Sequence, residues 1–355
     1  MCIEYETEEI NTLLNNIKAL SEKIRENKSG ADITFIFPGQ GSTGAVPLTH
    51  LCRNFPVYGS YISRAEKKIL QISNINIKEL IIRGKTKNTV EEQLFSVVHG
   101  TAMAEQYKAF GIKPLALAGH SVGEITACVV SGAMGFETAL EYTYNRAMLM
   151  EKYAGGGIML TAALDSESAL EYAKKCGGLS LAAINDREAC VLSGMIKEIK
   201  KLELLLDKRG IKHKRLRVPV AAHSSYLDPA LEDIGALSTG ELSEFESPVY
   251  SAVTGRLLTL SELKSSEWKK AHARNTVLFM ETLKSIKKVM KQKKIFIEFA
   301  VHRVLAPSGM KTVRGSKWLG ASSMSCYREN KSTEYCFTKG IEESLSEIEK
   351  YSCCE

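Results

Sequence analysis

The segment Ala116-Leu-Ala-Gly-His120-Ser121-Val-Gly-Glu124-Ile-Thr-Ala127 constrains the fold more than any other stretch. An apolar run from Pro114 to Ala118 reads as a buried strand that stops at Gly119, and the small and apolar residues from Val122 to Val130 read as a helix. The join, Gly119-His120-Ser121-Val122-Gly123, fits G-x-S-x-G, the nucleophile elbow. A strand that turns sharply into a helix holds its apex residue in a strained conformation, and glycines two positions away on each side let the backbones pass closely. The Ser121 hydroxyl then stands clear of the sheet at the positive end of a helix dipole, with backbone N–H groups nearby for an oxyanion. The same five-residue pattern also arises by chance, as a strand–helix turn with an incidental serine, so the motif alone leaves both readings open.

The 355 residues suffice for one large domain, or for a domain with another inserted in it. A hydrophobic content of 44% and a charged content of 25% are those of a soluble globular protein. No apolar run approaches the roughly 18 residues that cross a membrane. The start, Met1 to Glu9, is acidic where a signal peptide is basic and then apolar, so a cytoplasmic location is expected. Nine cysteines are scattered singly except for Cys353-Cys354, with no C-x-x-C pair, which reads as reduced thiols and no metal site. The net charge of +6 is dispersed and aromatic residues are few, which excludes a nucleic-acid groove and suits an acidic protein partner.

Ile10, Leu13, Leu14, Ile17, Leu20 and Ile24 recur at helical spacing until Asn27-Lys-Ser-Gly30, predicting an amphipathic helix that leans on the main body or on a partner. Ile33 to Phe37 reads as a short buried strand, followed by Pro38-Gly39-Gln40-Gly41-Ser42. Such a loop brings backbone N–H groups to an anion, or is an ordinary tight turn. Helical spacing covers Asn54 to Gln71, Thr89 to Phe110 and Gly135 to Tyr153, and the triplet Gly155-Gly-Gly157 reads as a hinge. Strand, helix, strand, strand, helix and strand then follow between Ile158 and Val220, the ferredoxin-like β-α-β-β-α-β pattern of a self-contained inserted subdomain. Phe296 to Phe299 reads as the last strand, and the basic run Lys287 to Lys294 as a solvated helix face and C-terminal cap ahead of it.

Four ordered motifs carry a resemblance. Ile36-Phe-Pro-Gly-Gln-Gly-Ser42, Gly119-His-Ser-Val-Gly-Glu124, Arg146-Ala-Met-Leu-Met150 and Ala222-His223-Ser224 together resemble the malonyl-CoA:acyl carrier protein transacylase family, which includes the acyltransferase domains of polyketide synthases. The resemblance covers roughly residues 31 to 320. It implies Ser121 as nucleophile and His223 as its general base, suited by an ordinary pKa of about 6.5. No acid completes a triad in that family; a backbone carbonyl holds the imidazole, and His272 falls where relatives carry the Gln or Asn that supplies it. The backbone N–H groups of Gln40 and Val122 are implied as the oxyanion hole, and Gln93 as a pocket glutamine. Arg146, alone a surface charge by default, is at the family position a planar fork for a carboxylate, which points to malonyl or a substituted malonyl.

Departures from the pattern are Thr43 for a glutamine, Val220-Ala-Ala-His223 for His-Ala-Phe-His or Tyr-Ala-Ser-His, and Ala300-Val301 for Gly-Pro. Ala222 stands where malonyl-selective relatives place phenylalanine, and it predicts an open pocket tolerant of a C2 substituent, partly reclaimed by the branched Val122.

The expected fold class is α/β: a large α/β-hydrolase-like domain with a parallel sheet (31–155 and 223–355), an inserted ferredoxin-like subdomain (156–222), and the N-terminal helix (1–30). The expected function is transfer of a malonyl-type group from coenzyme A through Ser121 to the phosphopantetheine thiol of an acyl carrier protein. It is expected to act in trans, as a monomer without metal or cofactor, in fatty acid or polyketide synthesis, with the N-terminal helix leaning toward the latter. Rival readings are an editing acyl hydrolase on the same fold and a non-catalytic carrier-docking protein.

Overall fold

The computed structural model describes residues 2–26, 30–41, 48–83, 85–320, 322 and 331–351. Residues 27–29 of the expected helix end, Ser42 and Thr43 of the first motif, and Cys353-Cys354 lie outside them. Nine strands are present among the described residues: β1 (Ala31–Phe37), β2 (Ala116–Gly119), β3 (Gly157–Ala162), β4 (Ser180–Asp186), β5 (Ala189–Met195), β6 (His213–Arg215), β7 (Val249–Tyr250), β8 (Lys293–Glu298) and β9 (Lys317–Gly320). Five form a parallel sheet in the order β7-β2-β1-β8-β9. A parallel sheet is covered on both faces, so its strands read as unbroken apolar runs. Ile33, Phe35 and Phe37 pack with Leu94, Val98 and Tyr107 on one side. Ile36, Ala116, Ala118 and Phe296 pack with Leu283, Ile286 and Trp318 on the other.

The register Phe37↔Gly119 ends β1 and β2 side by side, so the loop from Pro38 and the turn through Ser121 leave the same edge of the sheet. That edge, beyond the carboxyl ends of the strands, is where open α/β sheets carry their sites. The basic run sits at the opposite edge and is not one helix face. Lys287 and Lys288 end the helix Phe279–Val289, while Lys293 and Lys294 already pair with Ala31 and Asp32 at the start of β8. Nor is β8 the last strand, because β9 pairs beside it. The expected helix Asn54 to Gln71 is Pro56–Ile72; Asn54 instead ends a separate short helix, Thr49–Asn54, and the break falls at Phe55, whose extended backbone is what a following proline imposes.

The remaining strands make an antiparallel sheet in the order β4-β5-β3-β6, the ferredoxin-like arrangement. Alternation divides its faces. Leu160, Ala162, Cys190 and Leu192 pack under the helices Ser166–Cys176 and Ile196–Lys208, whereas Met159, Ala182, Ala183 and Val191 face the large body. The expected strand to Val220 is a strand only as β6, to Arg215; the chain bends at Arg217, and Leu216 N–H still donates to Met159 O at 2.8 Å.

The Gly155–Gly157 triplet is a crossing rather than a loose hinge. Gly156 N–H donates to the Pro219 carbonyl and Ala221 N–H to that of Ala154, and a Cβ on Gly157 would lie 2.4 Å from Ala221 N. The entering and returning chains thus touch backbone to backbone. The N-terminal helix, Cys2–Glu26, buries Leu13, Ile17 and Ile24 and packs along the helix Thr333–Glu349. Lys331 pairs with Glu9 at 2.7 Å, and Gly30 N–H donates to Tyr351 O.

Candidate active site

β2 ends in a turn whose apex is Ser121, with φ +52°. The flanking glycines are sterically required: a Cβ on Gly119 would lie 2.0 Å from Glu124 N, and one on Gly123 2.1 Å from Phe37 O. The helix Gly123–Val130 starts directly afterwards, with Val122 as its cap. Ser121 Oγ lies 2.7 Å from His223 Nε2, and His223 Nδ1 lies 2.9 Å from the carbonyl of Asn275. A carbonyl can only accept, so Nδ1 carries the hydrogen, and in the neutral ring Nε2 offers its lone pair to the serine hydroxyl. His223 is 3% exposed, and burial, with Arg146 and His120 nearby, lowers its pKa to about 3, which keeps it neutral.

The carbonyl that holds His223 is not that of His272. The helix Ser266–Arg274 ends there, and its cap Asn275 turns to extended backbone, which aims the Asn275 carbonyl at the imidazole. His272 Nε2 instead lies 2.8 Å from Ser121 O, so it donates to the carbonyl of the apex residue itself. Its ring stacks on Trp268 at 4.8 Å and 10°, and burial drives its pKa well below the ordinary value.

The loop Pro38–Gly41 lies against the apex: a Cβ on Gly39 would lie 3.3 Å from Ser121 Cβ. Glu92 fixes the loop, accepting from Gly41 N–H at 2.8 Å and from Gln40 Nε2 at 3.3 Å. Among the described residues, neither the Gln40 nor the Val122 amide donates to another backbone group outside helices and strands. Gln93 Nε2 donates to Gln40 Oε1 at 3.2 Å and approaches Met150 Sδ at 3.7 Å, while Gln93 Oε1 accepts from Arg146 Nη1 at 2.6 Å. Arg146 is 0% exposed, and its Nε and Nη2 have no partner among the described residues. Burial lowers its pKa. An arginine held this way, with unspent donors, fits an acidic ligand.

A cleft of about 760 Å³ opens over the pair between the large body and the small sheet. Gln40, Gln93, Ser121, Ala222 and His223 reach its wall; Arg146 does not, lying behind Gln93 and Met150. The small sheet lines the other side with Met159, Thr161, Ala182, Ala183 and Val191. His120 joins the two sides, its Nε2 lying 2.9 Å from Asn185 Oδ1.

Asn275, Glu92 and Glu124 complete the surroundings without having been singled out in the sequence. Glu124 is a charge in an otherwise apolar helix, which is the available signal. It is fully buried, accepts from Ser251 Oγ, Ala252 N–H and Trp268 Nε1–H, and burial pushes its pKa up to about 7. The signal for Asn275 is the helix end, which composition does not place.

Relatives agree with this architecture. Residues 34–346 match the model of the acyl transferase domain family. The chain is 31% identical over 293 residues to the non-reducing polyketide synthase pks27 of Aspergillus flavus, covering 79% of this chain and 14% of that protein. It is 28% identical over 286 residues to a mycocerosic acid synthase-like polyketide synthase of Mycolicibacterium smegmatis, covering 79% of this chain and 13% of that protein. The chain thus spans about one-seventh of the length of these relatives. The acyl transferase domain of SpnD in complex with 2-(pent-4-yn-1-yl)malonyl superposes with a TM-score of 0.81 at 23% identity, covering 92% of this chain and 79% of that one. FabD from Acinetobacter baumannii superposes at 0.78 and 21% identity, covering 90% and 99%. The elbow at Ser121, the ferredoxin-like insertion and the match over nearly the whole length lead to one conclusion: the chain belongs to the acyl transferase family of the malonyl-CoA:acyl carrier protein transacylases and polyketide synthase acyltransferase domains.

Proposed function

We propose that this protein transfers a malonyl-type acyl group from coenzyme A to the phosphopantetheine thiol of an acyl carrier protein, through an ester on Ser121. The observation that carries the reading is the Ser121–His223 contact of 2.7 Å, with His223 fixed from behind by Asn275 O. His223 Nε2 takes the hydroxyl proton as Ser121 Oγ attacks the thioester carbonyl, and the Gln40 and Val122 amides face the developing oxyanion. The C–S bond then breaks, the imidazolium returns its proton to the departing thiolate, and coenzyme A leaves. The carrier thiol reverses these steps: His223 takes its proton, the thiolate attacks the ester, and Ser121 Oγ is reprotonated.

Arg146 supports the substrate class. Its Nε and Nη2 are two donors that a terminal carboxylate can take up bidentately. Because the guanidinium has no exposed surface, that contact requires the Gln93 and Met150 side chains to shift. A simple acetyl group gives these donors nothing. Ala222 at the cleft wall leaves room beside C2, so at least one substituted malonyl group is accepted along with malonyl itself.

The test is mass spectrometry of the protein after incubation with malonyl-, methylmalonyl- and acetyl-CoA, then with a holo carrier protein. A malonyl adduct that moves to the carrier is expected, and Ser121→Ala should abolish it. Arg146→Ala should lower malonyl loading by about 10²-fold or more, since a buried charge-assisted pair is removed, while acetyl loading is spared or gained. Malonyl label on Ser121→Ala, or release of free acid without carrier labelling, would overturn the proposal, the latter in favour of an editing hydrolase.

A further inference from the structure

Four cations stand at the rim of the cleft: Lys85 and Lys87 on the large body, in the loop before the helix Thr89–Ala109, and Lys214 and Arg217 on the small one, in and just after β6. Neither Ser121 chemistry nor Arg146 uses them. Both banks are hydrogen-bonded into the fold. Arg83 Nε donates to Lys85 O at 2.7 Å and Lys87 N–H to Glu91 Oε2 at 2.7 Å, while Lys214 is in ladder register with Thr161. The neighbouring Arg215 is neutralised by Glu203 at 2.6 Å, and Arg83 by Glu91. Among the described residues the four rim cations have no such carboxylate within ion-pair distance, and Glu92, the one carboxylate on the cleft wall, is occupied with Gln40 and Gly41. Between the rim and Ser121 the small-sheet side of the cleft is uncharged: Thr161, Ala182, Ala183 and Val191.

A cleft with one uncharged wall and unpaired cations at its outer end fits a long neutral arm that ends in phosphates. We infer that Lys85, Lys87, Lys214 and Arg217 form a phosphate-binding rim that holds the diphosphate and terminal phosphate of coenzyme A while its pantetheine arm runs down the cleft. This rests on the acyl-transfer reading above for its ligand. Coenzyme A is favoured over the carrier's phosphopantetheine by charge. It carries a diphosphate plus a phosphate monoester of about −1.5 to −2, against one phosphodiester on the carrier, and four cations on two banks match the larger anion. Ligand phosphates would also bridge the two bodies, since one pair of cations belongs to each. The basic run Lys287 to Lys294 cannot serve, because its strand residues lie at the other edge of the sheet.

The test compares two double variants, Lys85→Gln with Lys87→Gln and Lys214→Gln with Arg217→Gln, with the unaltered protein. Acylation is measured with malonyl-CoA and with phosphate-free malonyl-pantetheine, and binding of coenzyme A and of pantetheine by calorimetry, each at low and high salt. In each double variant the ratio of kcat/KM for malonyl-CoA to that for malonyl-pantetheine should fall about three- to tenfold. Coenzyme A affinity should fall in parallel and its salt dependence should flatten. An unchanged ratio overturns the inference. So does a defect confined to transfer from the acylated protein to the carrier, which would give these cations to the carrier instead. Should the unaltered protein bind coenzyme A through these residues yet take no acyl group from it, the rim stands and acyl transfer falls.

Discussion

Ser121 and His223 are the two non-glycine residues with positive φ among the described residues, at +52° and +54°. Such conformations cost about 1–3 kcal/mol each and persist only where the surroundings over-determine them. For His223 the anchors are Asn275 O on Nδ1 and Ala273 O on its amide. For Ser121 they are Glu124 N–H and His272 Nε2–H, both given to its carbonyl, at 2.9 and 2.8 Å. His272 is therefore a positioning residue for the apex, and a neutral donor is all the role needs. His272→Gln, which can still donate, should keep most of the acylation rate, whereas His272→Leu should lower kcat by about tenfold or more with KM little changed, because a misplaced reacting atom is expensive. Equal kcat in the two variants would remove this role. Beside it, Ala222→Phe should narrow the acyl range toward malonyl, since even a methylene-sized difference between acyl groups is worth about 1–3 kcal/mol in discrimination. A protein that rejects every C2-substituted malonyl-CoA before the change would show that other side chains close the pocket. The motif residues were legible because their spacing encodes the turn itself; Asn275 was not, because the contact depends on where a helix stops.

The two sheets are joined through the neck at Gly155–Gly157, and the returning chain runs from Pro219 through Ala221 straight into Ala222 and His223. Packing in this neck thus bears on the imidazole. A Cβ on Gly157 would lie 2.4 Å from Ala221 N, so one of the two backbones would have to shift. Gly156, by contrast, has φ +75° and open space around its Cα. Gly157→Ala should lower acylation by about 10²-fold and destabilise by about 1–3 kcal/mol, while Gly156→Ala should cost only local strain of about 1 kcal/mol, with the acylation rate near its starting value. Thermal unfolding and acyl loading of the two variants check this, and similar kinetic losses in both would disconnect the neck from the site. The alternation of apolar and turn residues made β1, β2 and the whole β-α-β-β-α-β series readable. β7, with two residues, and β9, Lys317–Gly320, which opens on a lysine and ends on a glycine, carry too little pattern to be seen. The helix Thr333–Glu349 does carry one: Phe337, Ile341, Leu345 and Ile348 recur along one face, and their burial depends on the N-terminal helix that crosses from the other end of the chain.

Burial lowers the pKa of six imidazoles spread through the protein: His50 to about 4, His99 and His223 to about 3, His272 well below 6.5, and His120 and His302 below it. In the unfolded chain each returns to about 6.5. Below that pH the unfolded state binds a proton at each position that the native state refuses, so stability falls as pH falls, by about 1.4 kcal/mol per unit for each imidazole until its native pKa is reached. Glu124 works the other way. Burial raises its pKa to about 7, so between pH 7 and its unfolded value near 4.5 the native state takes a proton first and gains stability as pH falls. Glu298, buried at the end of β8 with its pKa also raised, adds in the same direction. From pH 7 to 5 His50, His99 and His223 alone lose on the order of 6 kcal/mol together and Glu124 returns about 2, so the net sign follows the imidazoles. The melting temperature should therefore drop by roughly 10 °C between pH 7 and pH 5, measured by scanning calorimetry in buffers of matched ionic strength. His99, which lies 3.0 Å from the Tyr58 hydroxyl through Nδ1 and leaves Nε2 without a partner, belongs to this set but not to the site. His99→Gln removes one titrating group and should shallow the pH slope by about 1.4 kcal/mol per unit while leaving acyl loading in place. A melting temperature that holds level or rises on acidification would mean that the buried carboxyls, not the imidazoles, govern how this fold responds to protons.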